Sequence, residues 1–359
     1  MKRGVLLAVL SVSGFSAVIA AEGPSIDKNV VVYYESGRYG GWPANYGIWS
    51  WGDEILVGFN QGYYKDQGPM RHAIDHDKPR RGMFARSKNG GETWAIEEPV
   101  TETPKEPVAP INFAHSDFAL RVPFAGSSGG STEVHVSYNR GTTWLRPVDL
   151  PSFDTPGIAA RTDYLIDDAL RCTLFLTAAK RNGEEGRPLC ARTIDGGATW
   201  DFLSWIGPEP EGFAIMPASV RLSDTELLVV VRRREDPKRW QSAYLSKDNG
   251  VNWDYLNDPV ADLGEGNPPS LIKLRDGRLC LTYGFREAPF RISAKFSSDN
   301  GRTWSDEFVL RDDGAKRDQG YTRTVQRADG KLVTVYYFNE VRRGPERYIA
   351  ATIWDPGSK

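Results

Sequence analysis

Short runs of β-branched and aromatic residues recur along the chain, divided by Gly, Asp and Asn: EILVGFNQGYY, TEVHVSYN, CTLFLTAAK, ELLVVVRRR, RLCLTYGF and KLVTVYYF. Each has the side-chain bias and the turn-forming borders of a strand. No helical apolar period appears beyond the N-terminal stretch, so helices are not predicted. The strands fall into a repeating unit. It reads strand, turn (often Asp-Gly), strand, loop, strand, and then a fixed turn motif.

That motif is Ser/Thr-x-Asp/Asn-x-Gly-x-x-Trp. It occurs as SKNGGETW at 87, SYNRGTTW at 137, TIDGGATW at 193, SKDNGVNW at 246 and SSDNGRTW at 297, with spacings of 50 to 56 residues. The Asp or Asn can accept backbone N–H bonds within a hairpin turn. The Gly supplies a positive φ, and the Trp packs beneath the turn. One unit is a four-stranded antiparallel sheet, too small to stand alone. Set radially, the sheets bury their faces on one another, which makes an all-β, six-bladed β-propeller. Blades are expected to begin near Tyr46, Phe113, Ile158, Phe213, Pro268 and Gly320. The last lacks the motif, and KNVVVYYE near the N-terminus is expected to supply its missing strand.

The chain opens with Lys2 and Arg3, a mostly apolar run from Val5 to Ala20, and small residues at its end. This reads as a signal peptide over 1–21, followed by one propeller domain over 22–359. The expected location is therefore secreted or periplasmic. No later run is apolar enough to cross a bilayer, so no membrane insertion is expected after cleavage. The net charge of −2, mixed along the chain, gives no electrostatic case for nucleic acid. No CxxC pair or His-x-His cluster suggests zinc, and no cofactor is expected; Asp-rich loops leave calcium open, though none has EF-hand spacing. Eleven Trp and fifteen Tyr exceed what the motifs use and suit stacking on sugar rings. Cys172 and Cys190 flank an expected hairpin with tip RNGEEG, either bridged or as buried thiols, and Cys280 reads as core.

The five motifs resemble the Asp-box, or BNR, repeats of the sialidase superfamily, over nearly the whole mature chain. The resemblance implies a sugar site in the central funnel. In sialidases three arginines hold the sugar carboxylate, a Tyr helped by a Glu attacks the anomeric carbon, and an Asp is acid and base. GYTRTVQ resembles the nucleophile segment and points to Tyr321. FRISAKFSSDNGRTW resembles the third-arginine segment and points to Arg291, with Arg286 as second choice. ELLVVVRRRED points to Arg233 among three neighbours. The loop HAIDHDKPRRG offers Asp75 and Asp77 as acid/base, beside His72 and His76.

Two features depart from the family. Its Arg-Ile-Pro becomes Gly41-Trp42-Pro43, leaving Arg38 as a substitute arginine, and Met216 stands where the activating Glu is expected. His115 and Asp117, and Arg161 and Asp163, fall at expected starts of inner strands. A His, a Tyr and arginines also suit β-elimination from a uronate, with His115 or Tyr321 as base. The implied function is an exo-acting sialidase-type glycosidase on terminal anionic sugars, working as a monomer on a glycan or polysaccharide. The alternatives are a uronate-directed polysaccharide lyase or other glycosidase, and a non-catalytic carbohydrate-binding propeller.

Overall fold

A computed structural model describes residues 1, 23–102, 109–123 and 132–358. The expected signal peptide, apart from Met1, lies outside the described residues. Six sheets succeed one another along the chain. In blade five the strands run Ser270–Lys273, Leu279–Phe285, Phe290–Ser297 and Phe308–Gly314, each beside its predecessor. First strands of successive blades touch: Phe213–Arg221 meets Ser270–Lys273, which meets Gly320–Gln326. The first strands therefore surround the axis.

The last blade closes as the sequence predicts. Gly320–Gln326, Leu332–Phe338 and Tyr348–Asp355 are completed by Ser25–Tyr33, antiparallel to the third strand, with Ser25 opposite Asp355. Apolar side chains fill the spaces between blades. Phe175 and Cys190 of blade three, for example, pack with Val229 and Tyr244 of blade four.

All five Asp-boxes share one hydrogen-bond scheme. The Ser or Thr hydroxyl accepts from the Gly amide four residues on, at 2.7–2.9 Å, in Ser87/Gly91, Ser137/Gly141, Thr193/Gly197, Ser246/Gly250 and Ser297/Gly301. The Asn or Asp carboxamide or carboxylate accepts from the amide four residues beyond it, at 2.9–3.0 Å. The box glycines have φ between 75° and 89°, a region that L side chains enter at a cost.

Blade two departs from the pattern. Its sheet runs Ala119–Arg121, Thr132–Ser137, Thr143–Leu150, with Val100–Glu102 added in parallel outside. The box therefore joins second and third strands here, where the other boxes join third and fourth. Residues 115–117, expected at the funnel end of an inner strand, form a turn beside the second box. The Asp117 carbonyl accepts from the Arg140 amide at 3.0 Å, and the His115 ring stands edge-on to Tyr138 at 5.3 Å.

The cysteine pair is also settled. Phe175 lies opposite Cys190 and Cys172 opposite Thr193, three rungs apart, and both thiols are buried and free. The expected hairpin is present, but its register sets the two cysteines on different rungs, and a disulfide needs the two side chains opposed.

Outside blade two, the boxes and the first-to-second-strand turns share one face, and the loops from second to third strand and the links between blades share the other. The box of blade two lies on the box face as well, where Arg140 binds Glu54 at the start of blade one's second strand at 2.9 Å. The second face carries residues 64–80 of blade one, 286–289 of blade five, 339–347 of blade six and the link 315–319.

Candidate functional site

Three first-strand segments reach the axis on that second face with left-handed backbone. Trp42, Met216 and Tyr321 have φ of 57°, 56° and 53°, and all three belong to one buried cluster. Met216 and Tyr321 sit within matching register breaks, between Ile215 and Ala218 and between Gly320 and Arg323. Such bulges re-aim a side chain, and strained residues concentrate where position matters. The Tyr321 strand is pinned from blade five. Its amide donates to Asn267 Oδ1 at 2.7 Å, while Asn267 Nδ2 donates to the Gln319 carbonyl at 3.0 Å. Asn267 is fully buried, and a Cβ at Gly320 would lie 2.3 Å from its amide nitrogen, so only glycine fits there.

The segments frame a funnel of about 450 Å³ lined by Trp42, Asn45, His72, His76, Arg80, Arg81, Arg161 and Tyr321, among others. No aspartate or glutamate lines it among the described residues. The Arg161 guanidinium donates to Asn45 Oδ1 at 2.8 Å and to the Ala159 and Ala160 carbonyls.

His72 is the most elaborately supported of these residues. Its Nδ1 lies 2.5 Å from Asp318 Oδ1, and Asp318 is almost wholly buried. Tyr337 Oη donates to the same oxygen at 2.7 Å, while Asp318 Oδ2 accepts from the Ala73 amide at 2.8 Å and from Arg347 Nε at 3.2 Å. Burial alone would raise the Asp318 carboxyl. His72, Arg347 and Arg286 outweigh it and hold the group well below the usual carboxylate range. For His72 burial prevails, and holds the imidazole below its ordinary value against the pull of Asp318. A neutral ring with Nδ1–H on a carboxylate leaves Nε2 as the acceptor, which is the arrangement of an oriented general base. The His72 and Tyr321 ring centroids are 6.5 Å apart.

Of the other expected site residues, Arg161 joins Tyr321 in the funnel. Arg286 lies behind Tyr321, its guanidinium 5.2 Å from the ring, and faces a neighbouring cavity. Asp163 lies on the axis beneath, accepting from Ser219 Oγ at 2.6 Å, with Arg323 at 3.8 Å. Burial raises its carboxyl to about 6.

The remaining expectations about position need correcting. Arg291 is clamped by Glu307 at 3.0 Å and lies over Phe285. Arg233 donates to Tyr244 Oη at 2.9 Å and stacks near Trp240. Arg38 pairs with Glu35 at 3.2 Å over the Tyr63 ring, outside the funnel. An arginine at Gly41 would not fit either, since a Cβ there would sit 2.3 Å from the Tyr39 ring. Asp75 and Asp77 share Lys65 at 3.1 and 3.0 Å, so they brace their own loop, and neither lines the funnel. His115 is on the box face.

The sequence reading noted His72 only as an unusual neighbour of those aspartates. Asp318, Tyr337, Arg347 and Asn267 went unmarked. Asp318 precedes Tyr321 by three residues in RDQGYTR, which was the one local cue available.

Comparisons with known proteins agree with this architecture. No curated protein matches the chain by sequence. A Dyadobacter fermentans protein of unknown function is 19% identical, covering 93% of this chain and 99% of its own, with a TM-score of 0.71. A mutant Trypanosoma rangeli sialidase displaying trans-sialidase activity is 12% identical, covering 93% of this chain and 58% of its own, at TM-score 0.55. The Fusarium graminearum α-L-arabinofuranosidase is 13% identical, covering 91% and 97%, at TM-score 0.56. At these identities the likeness is one of fold. The BNR repeat-like domain model matches residues 83–334, well over half of the chain, and with five boxes on a six-bladed propeller of the sialidase-superfamily type, the chain belongs to that family.

Proposed function

We propose that the protein is a glycosidase that draws a terminal anionic sugar of a glycan into the funnel. The observation that carries this reading is the meeting of Tyr321, the Asp318-backed His72 and Arg161 in one cavity walled by Trp42. A cavity of about 450 Å³ suits a sugar or two, and indole faces suit sugar rings. Arginine and histidine without a lining carboxylate suit a carboxylate- or sulfate-bearing substrate. In this reading the Tyr321 phenol passes its proton to His72 Nε2, and the phenolate attacks the anomeric carbon. The glycosidic C–O bond breaks, and the departing oxygen takes the proton from His72. Water gives a proton to His72 and its oxygen bonds to the anomeric carbon as the bond to Tyr321 breaks; the proton then passes from His72 to the released phenolate, restoring both residues. His72 thus fills the role left empty by Met216. Export by the N-terminal leader and action as a monomer belong to the same reading.

One observation favours a second chemistry on the same residues. Among the described residues the funnel lacks the two carboxylates of most glycosidases, so β-elimination from a uronate fits as well: His72 takes the C5 proton and Tyr321 protonates the leaving O4. The test supplies a fluorogenic sialoside, other acidic glycosides and uronate polysaccharides in parallel. Release of a reducing sugar that is lost in Tyr321→Phe supports hydrolysis. Unsaturated product instead moves the assignment to a lyase. Binding of these sugars without turnover would leave a lectin-like propeller and overturn both.

A further inference from the structure

A second cavity of about 520 Å³ lies behind the His72–Asp318 wall. One loop, residues 64–80, divides the two: Asp66, Met70 and Arg71 are among those facing the second cavity, and His72, His76 and Arg80 face the funnel. The partition is one side chain thick, since Asp318 lines the second cavity while holding His72, and Arg286 lines it while lying against the Tyr321 ring.

The lining of this second cavity carries five cations against three carboxylates, Asp66, Glu287 and Asp318, a surplus of two. Lys316 pairs with Asp66 and Arg347 with Asp318, but neither Arg286 nor Arg317 has an ion-pair partner among the described residues. Arg286 is 3% exposed, and its hydrogen bonds go to neutral groups, the Gln319 carbonyl at 2.9 Å and Tyr337 Oη at 2.5 Å. Among the described residues the Arg317 side chain reaches only the Pro69 carbonyl, at 3.5 Å, and its buried Nε has no partner. Burial and the nearby Arg286 charge both weaken the hold of Arg317 on its proton. Two adjacent guanidinium groups, Arg286 buried and Arg317 half-buried, favour an anion between them. Arg71 adds a further cation at the rim, while Met70, at 61% exposed, and Phe290 add apolar surface for a ring.

We infer that this cavity is a second subsite, where Arg286 and Arg317 hold the carboxylate or sulfate of a sugar next to the one in the funnel. The glycan half of this inference rests on the funnel reading above; the anion half does not. It makes the preferred substrate an oligosaccharide charged on adjacent residues. It also sets a bound anion against Arg286, beside the tyrosine and the His72 partner.

The test is calorimetric titration of the whole chain at low ionic strength with three probes: inorganic sulfate, monomeric glucuronate and an α-1,4-linked galacturonate trimer. Sulfate and trimer are expected to bind and to weaken at least ~10-fold in Arg317→Gln, whereas glucuronate, seated in the funnel, is unaffected. Arg161→Gln is expected to do the reverse, weakening glucuronate and sparing sulfate. Arg71→Glu, at the exposed rim, repeats the test should Arg317→Gln fail to fold. Sulfate and trimer affinities that ignore both variants overturn the inference. A trimer no tighter than glucuronate, with sulfate still dependent on Arg317, overturns the subsite and leaves a simple anion site. Loss of glucuronate binding alone counts against the funnel reading and not against this one.

Discussion

His72 gains its character from residues that never reach the funnel. Asp318 fixes which nitrogen carries the proton, and Arg347 and Tyr337 keep Asp318 ionised and still. His72→Gln is expected to lower kcat/KM roughly 10²–10⁴-fold, far more than any loss of folded protein followed in parallel by thermal unfolding accounts for. The rate–pH profile should show its acidic limb below the ordinary imidazole value of about 6.5, because burial disfavours the cation. Asp318 opposes that shift, so Asp318→Asn should move the limb lower still. A limb that stays in place would mean the dyad does not act in the rate-limiting proton transfer. Tyr321 was legible because its strand start carries a family pattern. His72 was not, because its loop has no periodicity and its carboxylate lies 246 residues away. A contact of that separation leaves no local mark, whereas Asp75 and Asp77 looked catalytic only because they were near in sequence.

The boxes were legible as elements because each is self-contained, with donor, acceptor, glycine and tryptophan inside eight residues. The arginine strands were not. Three arginines in a row leave the facing residue open, and only the neighbouring Tyr244 and Trp240 show where Arg233 goes. Blade two misled for a similar reason. A turn and a strand start draw on the same polar residues, and the Asp117 contact with Arg140 decides between them. The box scheme makes a prediction at this scale. Ser246→Ala leaves the buried Gly250 amide without its acceptor and should cost roughly 1–3 kcal/mol in urea denaturation. Since the boxes face away from the funnel, substrate affinity should not change. A large loss of affinity would show that the two faces are coupled.

Four of the six blades meet at one buried ion pair. Asp163 comes from blade three, Arg323 from blade six and Ser219 from blade four, and Arg323 Nη2 also donates to the Ala44 carbonyl of blade one at 2.7 Å. Burial lifts the Asp163 carboxyl to about 6, above its unfolded value of about 3.9. The folded chain therefore binds the proton more tightly. The stability this gives is full below about pH 4 and is lost as pH rises through about 6. Asp318 works in the opposite sense: its contribution is present above about pH 4 and is lost on acidification. Asp163→Asn should flatten the decline between about pH 4 and 6 in denaturation curves taken across that range. An unaltered slope would mean that Arg323 already neutralises the site.

The closing strand has a consequence for how the molecule can be held. Ser25 and Asp355 face each other at the box end of blade six, so the first and last strands of the propeller both have their outer ends on the side away from the funnel. A bead, a fusion partner or a cell-surface linker attached at either position would orient every copy the same way, mouth outward. Immobilised protein should then capture a bulky polymeric ligand as readily as protein free in solution.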